Sequence, residues 1–333
     1  MSKLRFGVLG AAKIAREKVI PPLQRSARCE VVALASRDLA RGRETAAKLG
    51  IARAYGSYEE LLADPGIDAI YNPLPNHLHV PWTIKAAEAG KHVLCEKPIG
   101  LDAAEAAKLI EVRDRTGVRI QEAFMVRTNP QWLRARELVR SGRIGELKAI
   151  HGQFSYHLVD PTNVRNVAEW GGGGLLDIGC YPITTSRFVT GLEPSRVAAM
   201  IERDPNNGID RLGSALLDYG NVQSCFQYGT QLVPRQSMQF YGTSGRLVVE
   251  VPFNAPSDTA CLLNLYEGPG LGDVAVETIE LAVCDQYGIM GDAFAASIQD
   301  GTPQPVPLED SIANMRVIDA VFRAAANGTW EAP

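Results

Sequence analysis

Strand-like and helix-like stretches alternate without a break through residues 1–125, and this alternation constrains the fold more than any other feature of the chain. Leu4–Leu9 is a short apolar run, and residues 14–24 read as a helix. Residues 31–35 read as a strand, 41–49 as a helix, 58–63 as a short helical turn and Ala69–Asn72 as a strand. A helix at 80–89, a strand at His92–Cys95, a helix at 103–115 and a strand at 119–123 complete the series. Repeated strand–helix–strand units close as right-handed crossovers, so the pattern implies a parallel sheet covered by helices on both faces.

After a further helix at 130–141 the pattern changes. Segments 147–156, 197–202, 213–217, 222–228, 236–241 and 246–251 read as strands, with turn signals such as Asn206-Asn207-Gly208 and Gly242-Thr243-Ser244-Gly245 between them. Short turns between successive strands make neighbours antiparallel. A final amphipathic helix at 310–326 stops at Asn327-Gly328. The expected architecture is α/β: a doubly wound parallel sheet over residues 1–125, then an α+β domain over 126–333 with a large, mostly antiparallel open sheet. A chain of 333 residues suits two such domains, expected to meet at a cleft.

Composition excludes several classes. The chain is 46% hydrophobic and 22% charged, as ordinary globular proteins are. No apolar run approaches the roughly 18 residues of a membrane span. The first ten residues faintly imitate a signal peptide, but Lys13 and Arg16 interrupt the apolar stretch; they read as a first strand of a cytoplasmic protein. Cysteines 29, 95, 180, 225, 261 and 284 are scattered, which points to separate buried thiols in a reducing compartment. His77 and His79 form a close pair with no third ligand nearby, so no metal is expected. Residues 1–150 hold 25 lysines and arginines against 17 carboxylates, and the remainder holds 9 against 21. The basic half suits a polyphosphate cofactor, and the acidic half speaks against a strongly anionic substrate; drift on solvated faces explains the imbalance equally well. No basic stripe marks a nucleic-acid partner.

Gly7-Val8-Leu9-Gly10-Ala11-Ala12-Lys13-Ile14-Ala15 ends a strand and opens a helix, the context of a dinucleotide fingerprint. Gly10 suits the tight turn, Ala15 suits helix–strand packing, and the helix start, with Ala12, Lys13 and Ile14, suits a pyrophosphate. Ala12 stands where a glycine is commonest, and a tight βα turn without ligand is the alternative. The second strand ends Ser36-Arg37-Asp38, with Arg41 one turn on. Ser36, Arg37 and Arg41 fit a 2′-phosphate and hence NADP, whereas Asp38 would grip a free ribose and leave NAD possible.

The chemistry gathers at two places. Asp177 and Tyr181 follow the run Trp170-Gly171-Gly172-Gly173-Gly174 and, four apart, share one face of a helix. Glu96-Lys97-Pro98 directly follows the strand at 92–95. A tyrosine hydroxyl titrates near ~10 in water, and a neighbouring ammonium favours its phenolate. Tyr181 would then take the proton of an alcohol whose carbon gives up hydride, with Lys97 orienting the oxygen and Asp177 fixing the substrate or the lysine. The glycine run is expected to let backbone approach cofactor or substrate. The plainer alternative for Tyr181 is a tyrosine packed at a domain interface.

These elements resemble the glucose–fructose oxidoreductase/inositol dehydrogenase (Gfo/Idh/MocA) family over nearly the whole chain. The likeness rests on residues 7–15, Leu74-Pro75-Asn76-His77-Leu78-His79, residues 93–98 and residues 171–181. It implies an N-terminal Rossmann domain, a C-terminal α/β domain whose open sheet forms the interface of a homodimer or homotetramer, and a nicotinamide cofactor acting on sugars or polyols. Lys97 and Asp177 match the family's catalytic lysine and aspartate, and Lys97-Pro98 the peptide often found cis. Tyr181, where inositol dehydrogenases have histidine, resembles the branch of glucose–fructose oxidoreductase, dimeric dihydrodiol dehydrogenase and NADP-dependent aldose dehydrogenases. Leu74, Pro75, Asn76, His79 and Glu96 fall where the family's loops meet the cofactor. Arg127, Tyr156, His157, Arg165 and Trp170 are candidate substrate contacts, and Cys180 is expected in the core. The implied activity is NADP-dependent oxidation of an aldose to its lactone. The alternatives are trans-dihydrodiol or ketosugar chemistry, an aldose–aldose oxidoreductase that keeps its cofactor, and a silent cofactor-binding regulator.

Overall fold

In the computed structural model, which describes residues 2–268 and 275–333, the chain forms two compact units, Met1–Met125 with Asp285–Ile312, and Val126–Cys284 with Ala313–Pro333. Residues 1 and 269–274 of the expected domains lie outside the described residues.

The first unit is built on β1 (Leu4–Leu9), β2 (Cys29–Ala35), β3 (Arg53–Tyr55), β4 (Ala69–Asn72), β5 (His92–Cys95) and β6 (Ile120–Glu122). They form one sheet in the order β3-β2-β1-β4-β5-β6, and every pairing is parallel. Phe6, Val8, Leu34, Ile70, Val93 and Leu94 are fully buried, as the near-continuous apolar strands of a doubly covered sheet require. Helices start on side-chain caps: Asp38 for Leu39–Lys48, Ser57 for Tyr58–Leu62 and Asp102 for Ala103–Thr116.

The first connecting helix is irregular for a covalent reason. It contains a π-helical turn, Ala15–Val19, that runs into the α-helix Ile20–Arg25. Pro21 and Pro22 have no amide hydrogen and press on the carbonyls four residues back, so the Ile20 amide reaches to Ala15 O instead.

The helix Gln286–Gln299 was not legible in the sequence. It packs Phe294 on Phe6, with ring centroids 6.1 Å apart, so residues 285–312 belong with the first unit rather than with the expected domain 126–333. A segment with a buried face goes where a matching apolar surface exists, and chain order does not reveal that surface.

The second unit carries an eight-stranded sheet among the described residues: β7 (Leu147–His157), β8 (Arg196–Arg203), β9 (Asp210–Asp218), β10 (Gln223–Gly229), β11 (Gln231–Gly242), β12 (Gly245–Val249), β13 (Cys261–Glu267) and β14 (Glu277–Leu281). Its order is β14-β13-β12-β11-β7-β10-β9-β8; β7 and β10 run parallel and the other pairs are antiparallel. Strand alternation divides the sheet. Ile150, Phe154, Phe226, Met238 and Phe240 are buried, with Trp132 of the helix Pro130–Arg140 packed on Phe240. The opposite face exposes His151, Met200, Leu216 and Gln227 and holds a hollow of about 650 Å³. Among the described residues no helix is long and apolar enough to cross a membrane.

Candidate active site

In the first unit, Gly10 follows β1 with φ +81°, a conformation that glycine adopts without strain, and its amide donates to Ala35 O at 2.8 Å. The strand order reverses between β1 and β4, the point where such sheets bind ligands beyond their carboxyl ends. Gly10 and Leu74 meet there: a side-chain carbon at position 10 would lie 3.3 Å from Leu74 Cδ2. The following helix opens at residue 13 behind Ala11 and Ala12, which carry no side-chain oxygen to cap it. Its first amides therefore suit an anion, and the turn fits a pyrophosphate. Lys13 is exposed, near Glu17 at 3.9 Å, and Ile14 is half-buried.

The end of β2 bears on the choice between NADP and NAD. Asp38 accepts from the Arg41 amide at 3.1 Å and caps the next helix, so its carboxylate is engaged locally rather than held out for a ribose. Ser36 is nearly buried, and its hydroxyl accepts from the Asp38 amide at 3.3 Å. Arg37 and Arg41 are exposed guanidiniums, Arg37 beside the Tyr58 hydroxyl. This donor set fits a 2′-phosphate.

His79 differs from the expectation that it contacts cofactor. It is 1% exposed, with Nδ1 2.7 Å from Pro98 O and Nε2 2.7 Å from Leu74 O. Each nitrogen lies against a backbone carbonyl, and the neutral ring, with one N–H, donates to one of the two while packing between the loop at Leu74 and the one at Pro98. Burial pushes its pKa down to about 4, against the two carbonyls, which favour the protonated ring. The Lys97–Pro98 peptide is cis. Glu96 accepts from the Tyr71 hydroxyl at 2.6 Å and from the Lys97 amide at 3.3 Å, bracing the backbone of the lysine. Pro75 and Asn76 lie on the loop after β4, Asn76 opening a short 3-10 turn.

In the second unit, the glycine run is closely packed by the protein's own backbone and side chains. A side-chain carbon at Gly172 would lie 2.6 Å from Arg165 O, one at Gly173 would overlap Asp210 Oδ1, and one at Gly174 would lie 2.6 Å from Tyr228 Cδ2. The run leads into a π-helical turn, Leu175–Gly179, and then the α-helix Cys180–Thr190, whose Pro182 repeats the proline signature of the first π turn.

Asp177 lies in that turn. Its Oδ2 accepts from the Tyr156 hydroxyl at 2.6 Å and from Arg165 Nε at 2.8 Å, which brings together three residues predicted separately. Burial and the Asp177 charge hold the Tyr156 phenol far above its ordinary pKa, and Asp177 raises that of Arg165. Tyr181, one turn on, is 6% exposed, its ring 5.7 Å from that of Phe154 and 5.2 Å from that of Phe253. Cys180 is fully buried with its thiol 3.3 Å from Leu176 O, as a core residue.

The other candidates separate. His157 neighbours Tyr156 on β7, so strand alternation turns it to the opposite face of the sheet. Trp170 is 41% exposed at the end of the 3-10 turn Ala168–Trp170. Arg127 stacks at 4.6 Å over Phe188, seven residues beyond Tyr181 and so roughly 10 Å along the helix. Asp210 and Tyr228 were missed. The only signal for them is the glycine pattern itself, which calls for bulky partners without naming them.

A dinucleotide-type sheet followed by an open antiparallel sheet, with Asp177 and Tyr181 on a buried helix, defines a nicotinamide-type oxidoreductase. The chain belongs to the Gfo/Idh/MocA family: residues 4–124 match its oxidoreductase domain with NAD-binding Rossmann fold, and residues 132–248 its C-terminal domain. An uncharacterized oxidoreductase, ORF334, of Rhizobium meliloti is 49% identical over 99% of both chains. A D-xylose 1-dehydrogenase (NADP(+)) of Haloferax volcanii is 38% identical over 98% of both. The crystal structure of KijD10, a 3-ketoreductase from Actinomadura kijaniata in complex with NADP and TDP-benzene, superposes with a TM-score of 0.90 at 31% identity, covering 97% of this chain and 98% of that one.

Proposed function

We propose that the protein is an NADP-dependent oxidoreductase that transfers hydride between the nicotinamide and a CH–OH carbon of a sugar or sugar-like compound. In its preferred form it oxidises an aldose at the anomeric carbon to the lactone. The observation that carries this reading is the Asp177 carboxylate, held by Tyr156 and Arg165 one helical turn before Tyr181. Tyr181 accepts the hydroxyl proton during oxidation and returns it during reduction. Lys97 orients the substrate oxygen and stabilises the negative charge that develops on it. Asp177, kept in place by its two donors, fixes a substrate hydroxyl or the lysine. Ser36, Arg37 and Arg41 hold the 2′-phosphate, the turn from Gly10 to Ile14 holds the pyrophosphate, and the 74–76 loop flanks the cofactor. Bound NADP supplies the hydride acceptor in one direction and the donor in the other.

The likeness to the xylose dehydrogenase supports the aldose form, and so does the excess of 21 carboxylates over 9 cations in residues 151–333. The likeness to the 3-ketoreductase supports a second reading, reduction of a keto group on a nucleotide-linked sugar. We also infer a cytoplasmic homodimer or homotetramer that associates through the open sheet face.

The test incubates purified protein with NADP or NAD and a panel of aldoses, polyols and nucleotide-linked ketosugars, following the ultraviolet absorbance of reduced nicotinamide. An aldose should reduce NADP. Lys97→Ala and Tyr181→Phe should each lower kcat by about 10²–10⁴-fold, and Arg37→Ala should erode the preference for NADP by about 10–100-fold, one lost charged hydrogen bond. Turnover of a ketosugar alone would replace the first reading with the second. Tight NADP binding without any turnover would overturn both.

A further inference from the structure

The first turn of the helix that carries Asp177 and Tyr181 rests on two residues from neighbouring strands. Asp210 begins β9 and Tyr228 lies in β10; they are 2% and 0% exposed. Asp210 Oδ2 accepts from the Leu175 amide at 2.6 Å, while Oδ1 fills the space that a side chain at Gly173 would need. Tyr228 faces Gly213 across the β9–β10 pair, and its ring lies in a slot walled by Gly174, Gly179 and Gly213. A side-chain carbon at Gly179 would lie 3.0 Å from Tyr228 Cδ1, and one at Gly213 would overlap the ring. The Tyr228 hydroxyl faces the Asp210 carboxylate.

We propose that Asp210 is a positioning residue for the reaction: with the Tyr228 ring as floor, its carboxylate fixes the π-helical turn Leu175–Gly179 and so sets where Asp177 and Tyr181 point. The opening amides of a helix have no partner within it, and a carboxylate there satisfies one and complements the helix dipole. A π turn is rare and has one residue more per hydrogen-bonded ring than an α turn; Pro182 removes the amide that would pair in the α pattern, and the Asp210 anchor fixes where the turn begins. Asp177 and Tyr181 lie two and six residues beyond the anchored amide, hence within the segment whose path the anchor decides. This inference rests on the reading of Asp177 and Tyr181 as reacting groups.

The test compares wild type, Asp210→Ala and Asp210→Asn in kcat, NADP dissociation constant and hydrogen exchange of the 171–185 peptide. Asp210→Ala should lower kcat by about 10²-fold, the effect of a displacement on the order of 1 Å. It should leave NADP affinity within about twofold and speed exchange at 174–181. Asp210→Asn keeps an acceptor for the Leu175 amide and should restore kcat to within about tenfold of wild type, since most of the placement survives. If Asp210→Ala does not fold, Asp210→Glu, which displaces the acceptor by one methylene, replaces it with the same expectations. Wild-type kcat in Asp210→Ala, unchanged exchange, or Asn as impaired as Ala would overturn the proposal. Failure of wild type to turn over any sugar would instead overturn the reaction reading, while exchange still decides whether Asp210 holds the turn.

Discussion

Three aspartates accept hydrogen bonds from different donors, and the donors separate their roles. Asp38 takes a backbone amide on the surface, Asp177 takes a phenol and a guanidinium, and Asp210 takes a buried helix amide. Asp177 was recognisable from its motif, but its Tyr156 and Arg165 partners were not, because they reach it from a strand and a loop. His79 makes the same point with a pH signature. Its native pKa near 4 lies below the ~6.5 of an unfolded histidine, so the unfolded chain binds more protons between those values. Stability is therefore full above about pH 6.5, falls as pH drops, and has lost this contribution below about pH 4. The thermal midpoint of wild type should fall more steeply from about pH 7 to pH 5 than that of His79→Gln; equal slopes would show that the ring is protonated in the native state.

At the scale of elements, periodicity was a good guide wherever one face of a segment is buried. Leu4–Leu9, Ala69–Asn72 and His92–Cys95 fall where the apolar runs placed them. The misses have physical causes. β3 is three half-exposed residues at a sheet edge, β14 is mostly polar, and β13 exposes Leu262 and so blurs its own alternation. The two π turns were likewise unseen, although each precedes a proline that removes the amide an α-helix would use. Gly174→Ala tests the packing at the second one. Its new methyl meets Tyr228 at 2.6 Å, and overpacking of this kind should cost about 1–3 kcal/mol, read from the denaturant midpoint. A midpoint unchanged from wild type would mean that the ring has room to move.

For the whole molecule, the open face of the second sheet is the feature that a monomer leaves unexplained. Met200 is 79% exposed, and the hollow beside it is lined by apolar residues such as Ala198, Ala199 and Leu216 together with polar ones such as Gln153, Gln227 and Gln239. Exposed apolar patches mark association surfaces. Sedimentation should show a dimer or tetramer, and Met200→Glu should shift it towards monomer; a monomeric wild type at micromolar concentration would refute the interface.

By itself the sequence determined the class of each sheet, the tight turn at Gly10, and the residue types at 97, 177 and 181. These follow from local rules of strand and helix period, turn chemistry and motif spacing, which act over a few residues. Tertiary structure decided the rest: the return of 285–312 to the first unit, the hold of His79 on two loops, the donors on Asp177, and the fit of Asp210 and Tyr228 against the glycines. Each depends on which distant surfaces meet, and a pattern of glycines records only that something close must fit there.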